Sequence, residues 1–111
     1  DICYLGGLTR TLRVAKMAEV AGIPCTPHAA NQSMVTLFTM HLLRAIPNAG
    51  KYLEFSIEGE DYYPWQDDLF VESPYAIRDG KATVTDAPGW GVEVSPQWLE
   101  KSHYQISQLN G

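Results

Sequence analysis

The 111-residue sequence lacks long hydrophobic runs, an excess of basic residues and a set of cysteines. No stretch approaches the roughly 20 apolar residues of a membrane span, so we expect no membrane association. Eight Lys and Arg against 13 Asp and Glu give a net charge of −5. Because nucleic-acid surfaces need clustered positive charge, we expect no nucleic-acid partner.

The two cysteines, Cys3 and Cys25, are too few for a disulfide framework. The first residues lack the basic start and apolar run of a signal peptide, so we expect a cytoplasmic protein. A single bridge is rare in that compartment, and we predict two buried, unpaired thiols. Cys25 and His28 have a metal-like spacing, but no second Cys/His pair lies nearby, so a zinc site is not expected.

The sequence does contain the pattern of a globular α/β domain, with 45% hydrophobic and 19% charged residues. Amphipathic helices are predicted at residues 8–21, N-capped by Thr9 and ended at Gly22, and at residues 32–46. Buried strands are predicted at residues 23–26 and 52–56. Strands that alternate with single helices indicate βαβ units and hence a parallel sheet.

The second half of the sequence predicts turns and short elements instead of βα units. Seven carboxylates lie between residues 54 and 72 without a Lys or Arg, which predicts a solvated loop. Turn and cap residues predict three further elements: a hairpin at 75–85 that turns at Asp79-Gly80, a turn at Pro88-Gly89, and a short helix from Ser95-Pro96 to about Lys101.

Several short motifs follow one another in an order that resembles a known family. They are Asp1, the helix entry Gly6-Gly7-Leu8-Thr9, Pro27-His28, Glu54, Asp79-Gly80 and Pro88-Gly89-Trp90-Gly91-Val92-Glu93. The pattern resembles the C-terminal part of the mandelate racemase/muconate lactonizing enzyme family, in the mandelate racemase subgroup of the enolase superfamily. The resemblance covers essentially the whole chain.

The resemblance implies an α/β fold that is the C-terminal portion of a (β/α)7β TIM-like barrel, with a tail that returns to a capping domain. Residues 1–58 are then the last part of the barrel, and residues 59–111 the segment that packs on the barrel and the capping domain. A full barrel needs about 250 residues. We therefore expect the Mg²⁺ ligands and an opposite-face lysine pair upstream of Asp1.

The expected state of the protein follows from this division. We expect the whole protein to be a homo-oligomer. The isolated chain is expected to be inactive and poorly folded, because its strands would expose open sheet edges.

The resemblance also implies three catalytic residues: Asp1 orients a histidine, His28 is the general acid/base, and Glu54 is an acid at the end of a late barrel strand. A neutral imidazole accepts a proton from carbon if a carboxylate fixes its tautomer. Glu54 would donate a hydrogen bond to the developing oxyanion, which requires burial or a neighbouring anion to keep the carboxyl protonated.

Other polar residues have simpler alternatives. Asn31 lies just beyond His28 and is expected either to bind substrate or to cap the following helix. His41 falls within the apolar stripe of the helix at 32–46, so we predict a core histidine. Without the family pattern, the simplest interpretation of His28 is a strand end that hydrogen-bonds the next loop.

These implications favour an Mg²⁺-dependent lyase that removes the proton α to a carboxylate, forms an enediolate and eliminates a β-hydroxyl. Such an enzyme is an acid-sugar dehydratase with a small-molecule carboxylate as substrate. A racemase or epimerase of a 2-hydroxy acid shares the first step, and nothing in the sequence separates the two. A hypothesis of another class is a non-catalytic fragment or binding module.

Overall fold

The computed structural model describes residues 1–108, so the last three residues of the predicted segment 59–111 lie outside the described part. The predictions of helices near 8–21, 32–46 and 96–101 and of a hairpin within 75–85 are confirmed. The elements in chain order are α1 (Ile2–Leu5), α2 (Leu8–Val20), α3 (Met34–Ala45), β1 (Ile77–Arg78), β2 (Lys81–Ala82) and α4 (Pro96–Lys101).

Helix α1 is a single turn that the sequence patterns did not predict. Asp1 is its N-cap, and the carboxylate Oδ1 accepts the backbone N–H groups of Cys3 at 2.7 Å and Tyr4 at 3.1 Å. The turn ends at Gly6 and Gly7, whose φ values of 96° and 101° are left-handed. Only glycine adopts such angles at little cost, which is why two glycines separate α1 from α2.

Helix α2 begins at Leu8, two residues earlier than a cap at Thr9 would allow. Its N-cap is Gly7 with no side-chain hydrogen bond, so the prediction that Thr9 caps the helix is wrong. The predicted apolar face is only partly buried, since Ala15 is 1% exposed whereas Leu8 and Leu12 are each 42% exposed. The described residues bury only a narrow strip of the surface of α2. The periodicity of the apolar residues in the sequence does not show how wide the buried strip is.

Helix α3 carries most of the core. Ser33 is its N-cap and accepts the Val35 N–H, and the helix ends at Ala45, two residues before Pro47, because a residue that precedes proline disfavours helical angles. Two clusters of buried residues form on its faces. One contains Ile2, Ala15, Leu42 and Ile46, and the other contains Leu37, Met40, Phe70 and Tyr75.

The predicted strands at 23–26 and 52–56 are wrong as regular strands. Within residues 1–108, the segment 23–26 makes one parallel bridge, between Cys25 and Ala49, and the segment 52–56 makes none. Cys25 N–H donates to Asn48 O at 2.8 Å, and Gly50 N–H donates to Cys25 O at 2.7 Å. A parallel ladder needs hydrogen-bonding neighbours, and Pro24 has no N–H to donate, so the described chain continues past this bridge without a ladder.

Gly50 is the position at which this bridge admits no side chain. A Cβ built there would lie 1.6 Å from Thr26 Oγ1 and 3.2 Å from the backbone oxygen of Cys25. We expect Gly50→Ala to lower the free energy of unfolding by about 1–3 kcal/mol, because the added methyl group overpacks the bridge. Urea unfolding of the whole protein measures the change. The matched control is Gly59→Ala, where a Cβ meets nothing within 4 Å, and equal stability of the two variants would contradict the prediction.

The second half of the chain is held by a few specific contacts. The hairpin β1–β2 turns at Asp79 and Gly80, as predicted, and their φ values of 51° and 70° are those of a type I′ turn. Phe70 and Val94 form an antiparallel bridge. The Asp68 carboxylate accepts the Trp98 Nε1–H at 2.6 Å and ties α4 to this part of the chain.

Candidate active site

Asp1 and His28 form a hydrogen-bonded pair although 27 positions separate them in the chain. Asp1 Oδ2 lies 3.0 Å from His28 Nδ1, while Asp1 Oδ1 is held by the first turn of α1. The Asp1 side chain is 8% exposed, and the His28 side chain is 53% exposed. A carboxylate only accepts hydrogen bonds, so the pairing assigns the proton to Nδ1 and leaves a lone pair on Nε2.

Glu54 lies on the other side of the imidazole. Its Oε2 accepts the Ala29 N–H at 2.9 Å and lies 3.7 Å from His28 Nε2, which is beyond a direct hydrogen bond. The three residues that the sequence marked out, Asp1, His28 and Glu54, are therefore neighbours. The Glu54 side chain is 48% exposed, so the described residues do not supply the burial that a protonated acid requires.

Tyr4 is a neighbour of His28 that sequence reasoning missed. Its ring is nearly parallel to the imidazole, with an interplanar angle of 16° and centroids 6.4 Å apart. The side chain is 89% exposed. Its position three residues after Asp1 becomes a signal only once α1 has formed, because residues three positions apart on a helix lie on the same side.

Asn31 supports the start of α3. Its Oδ1 accepts the backbone N–H of Ser33 at 3.1 Å and the Ser33 hydroxyl at 2.6 Å. The cap itself is Ser33, so Asn31 acts on the helix through its neighbour. The Asn31 backbone oxygen also accepts the Trp65 Nε1–H at 2.9 Å. A substrate contact by Asn31 stays a prediction.

Tyr75 contacts the start of α3, the same region that Asn31 supports. Its hydroxyl donates to the backbone oxygen of Ser33, and its ring packs edge-on against Phe55 and Phe70. Burial raises the pKa of the Tyr75 hydroxyl above its ordinary value. The phenol therefore stays protonated and keeps donating to the segment that follows His28.

The remaining histidines and the cysteines differ in part from expectation. His41 is not in the core: it is half-buried, its Nε2 lies 3.1 Å from Trp90 O, and its ring meets the Trp90 ring edge-on. The apolar stripe in the sequence indicated only the side of the helix on which His41 lies, and the loop around Trp90 covers that side incompletely.

Both cysteines are unpaired as predicted, but Cys3 is exposed and Cys25 is half-buried, so the prediction of two buried thiols is wrong.

The acidic segment is solvated, as predicted. All seven of its carboxylates belong to exposed residues: Glu54, Glu58, Glu60, Asp61, Asp67, Asp68 and Glu72. The hydrogen bond between Glu60 and Asp67 raises the pKa of Glu60. Charges that remain in water cost little, and this loop therefore needs no cationic partner.

A groove of about 800 Å³ lies elsewhere on the molecule, between α3 and the hairpin β1–β2. Its walls include Met40, Leu53, Ile77 and Val84. It contains none of Asp1, His28 and Glu54. The side chains of His28 and Glu54 are about half-exposed, and that of Asp1 is buried.

The candidate site does not fit a divalent metal ion. Both oxygens of Asp1 and one oxygen of Glu54 already accept hydrogen bonds. Among residues 1–108, no group of three or more His, Cys, Asp or Glu side chains is arranged to hold a metal.

Within residues 1–108, no helix has the length and apolar character needed to cross a membrane.

Comparisons with known proteins identify the family to which the chain belongs. The family model described as enolase C-terminal domain-like matches residues 1–98. D-gluconate dehydratase of Thermoproteus tenax is 28% identical over 110 residues, which cover 98% of this chain and 21% of that protein. Arabinonate dehydratase of Saccharolobus solfataricus is 27% identical over 94 residues, which cover 85% of this chain and 24% of that protein.

A solved structure gives the same answer for the fold. The crystal structure of a putative racemase from Roseobacter denitrificans matches with a TM-score of 0.90 and 73% sequence identity. The match covers 98% of this chain and 30% of that chain, and this chain spans about a fifth to a quarter of the curated relatives. The fold is therefore α/β and enolase C-terminal domain-like, and the chain belongs to that family as a C-terminal part of the mandelate racemase/muconate lactonizing enzyme type.

Proposed function

We propose that the whole protein removes the proton α to the carboxylate of a sugar acid and eliminates the β-hydroxyl, as an acid-sugar dehydratase. The observation that carries the proposal is the contact of 3.0 Å between Asp1 Oδ2 and His28 Nδ1, with Glu54 3.7 Å from the opposite ring nitrogen. The proposal is further supported by the curated relatives, two of which are named as dehydratases of gluconate and arabinonate.

His28 is the proposed general acid/base. Because Asp1 holds the proton on Nδ1, Nε2 is the atom that accepts or returns a proton. Asp1 stabilises the imidazolium that forms, and its own position is secured by the backbone N–H groups of Cys3 and Tyr4. The ring is half-exposed, so a substrate carbon can approach Nε2 from the open side.

In the proposed reaction His28 Nε2 takes the proton from C2, and an enediolate and an imidazolium form. The hydroxyl at C3 then departs with a proton from the imidazolium as water, and the resulting enol tautomerises to a 2-oxo-3-deoxy acid. Atoms balance, because one water is released and no oxidant is consumed. The lysine pair proposed upstream of Asp1 would act on the opposite face of C2 and takes no part in these steps.

Glu54 is the proposed hydrogen-bond donor to the enediolate. Its Oε2 accepts the Ala29 N–H, so a proton carried by this carboxyl belongs on Oε1, which can face the substrate. Covering of Glu54 by substrate and by other parts of the whole protein would supply the burial that keeps it protonated.

Mg²⁺ is part of the proposal, with its ligands upstream of Asp1. When bound, such an ion stabilises negative charge on the substrate carboxylate. The described residues do not fit the ion, so each step above is assigned to side chains of this chain alone. We further propose that residues 1–58 belong to the barrel and residues 59–111 to the segment that packs on it. The whole protein is proposed to be a cytoplasmic homo-oligomer.

The second candidate is a racemase or epimerase of a 2-hydroxy acid. It is favoured by one observation, the 73% identity to a protein described as a putative racemase. In this reaction His28 removes or returns the C2 proton on one face, and the β-hydroxyl stays in place.

The test uses the whole protein with Mg²⁺ and a panel of sugar acids and 2-hydroxy acids in D₂O, followed by proton NMR and mass spectrometry. Loss of one water and a new 2-oxo group support the dehydratase. Deuterium at C2 with inversion and no loss of water supports the racemase. If no acid shows exchange or turnover, the proposal is overturned, and the binding module is the hypothesis that remains.

A further inference from the structure

Thr36 makes the most informative contacts outside the three proposed catalytic residues. It is completely buried on α3. Its hydroxyl Oγ1 donates to the backbone oxygen of Ala29 at 3.1 Å and accepts the backbone N–H of Gln32 at 3.1 Å. One hydroxyl group therefore links both ends of the segment that leads from His28 into α3.

The Ala29 backbone connects this hydroxyl to the site. Ala29 is 0% exposed; its oxygen faces Thr36, and its N–H donates to Glu54 Oε2 at 2.9 Å. The same N–H belongs to the peptide group that joins Ala29 to His28. Turning this backbone would therefore move the Glu54 carboxylate and the His28 ring relative to each other.

The backbone of Gln32 is held in a conformation that this residue type disfavours. Its φ of 48° is left-handed, which a residue with a long side chain seldom adopts. The Thr36 hydroxyl accepts the Gln32 N–H, and the Gln32 side chain donates to Ser56 O at 2.6 Å, two residues beyond Glu54. These contacts join the segments that carry His28 and Glu54.

We infer that Thr36 is a positioning residue of the proton-transfer site, acting through Ala29 and Gln32 on the relative placement of His28 and Glu54. The inference rests on the proposed function. Removal of the hydroxyl leaves the Ala29 oxygen and the Gln32 N–H without this partner in a buried place. The segment then rotates to satisfy them, and the distance between the two catalytic side chains changes.

Thr39 is the matched control. It lies on the same helix, is also 0% exposed, and its hydroxyl donates to Val35 O at 3.0 Å within the helix. Replacing it with valine alters the same kind of buried side chain without touching the segment after His28. A purely structural role of buried threonines predicts equal effects at both positions.

The experiment compares Thr36→Val, Thr36→Ser and Thr39→Val in the whole protein, with kcat, KM and the pH profile of kcat as readouts. We expect Thr36→Val to lower kcat about 10-fold to 100-fold, since small misplacements of reacting groups are costly. We also expect a shift in the pH profile. Thr36→Ser, which keeps the hydroxyl, should recover most of the kcat, and Thr39→Val should retain it.

Equal kcat values for Thr36→Val and Thr39→Val, or no recovery in Thr36→Ser, would overturn the inference. A second readout separates it from the proposed function. NMR of the His28 imidazole should show a changed titration in Thr36→Val and an unchanged one in Thr39→Val, even if no sugar acid is turned over. An inactive wild type with this NMR difference counts against the proposed function alone, and absence of the NMR difference counts against the positioning role.

Discussion

Replacement of His28 by asparagine is expected to lower kcat of the whole protein by about 10²–10⁴-fold, the usual contribution of a general acid/base. Asparagine keeps a polar group near Asp1 Oδ2 but cannot exchange a proton. The Asp1 contact with α1 does not involve His28, so the fold around the site should persist. Exchange of the C2 proton in D₂O, followed by NMR, measures the effect on the step that His28 performs.

The matched control for this variant is His103→Asn. His103 is exposed and lies far along the chain from the candidate site, so its replacement should leave exchange and turnover unchanged. Unchanged exchange and turnover in His28→Asn would remove His28 from the mechanism and with it the proposed role of Asp1.

Replacement of Asp1 by asparagine is expected to have the second largest effect, a loss in kcat of about 10²-fold or more. Asparagine is as good an N-cap as aspartate, so α1 should remain folded. Its amide NH₂, however, donates where the carboxylate accepted. His28 Nδ1 must then become an acceptor, and the proton moves to Nε2, the atom that has to accept the substrate proton. The same reversal of tautomer explains the loss in Ser-His-Asp enzymes that carry Asn for Asp.

Steady-state kinetics of the whole protein measure this loss, and far-UV circular dichroism checks that the helices remain. Asp79→Asn is the control, since asparagine tolerates the left-handed φ of 51° in the β1–β2 turn. A kcat of Asp1→Asn equal to that of the control would show that the contact between Asp1 and His28 has no catalytic role.

The helices and turns were predictable because their signals are local. Pro47 follows the end of α3 and Asp79-Gly80 forms the hairpin turn, whereas the cap of α3 is Ser33 instead of Asn31, two residues earlier. The single turn α1 escaped prediction, because four residues show no periodicity. The strands failed for another reason: a parallel strand exists through its neighbours, and the described chain supplies only the bridge between Cys25 and Ala49.

The sequence led to the residues of the candidate site and to the pairing of Asp1 with His28, but not to the other contacts. Asp1, His28 and Glu54 were marked out by their order in the chain and by the family resemblance. The contacts through Thr36 and Gln32 had no such signal, since a threonine in a helix and a glutamine before one are common residues. Tyr4 was likewise identifiable only after α1 had placed it beside the His28 ring.

Spacing and composition sufficed for the helices other than α1, the hairpin and the solvated acidic loop, whereas the family resemblance supplied the identity of the proposed catalytic residues. Each of these depends on residues within a few positions of one another or on short motifs. Tertiary packing decided the proton position on His28, the exposure of Glu54 and the hydrogen bonds of the Thr36 hydroxyl. They arise from contacts between residues 7 to 27 positions apart, and such contacts form only when α1, α3 and the segments between them meet in space.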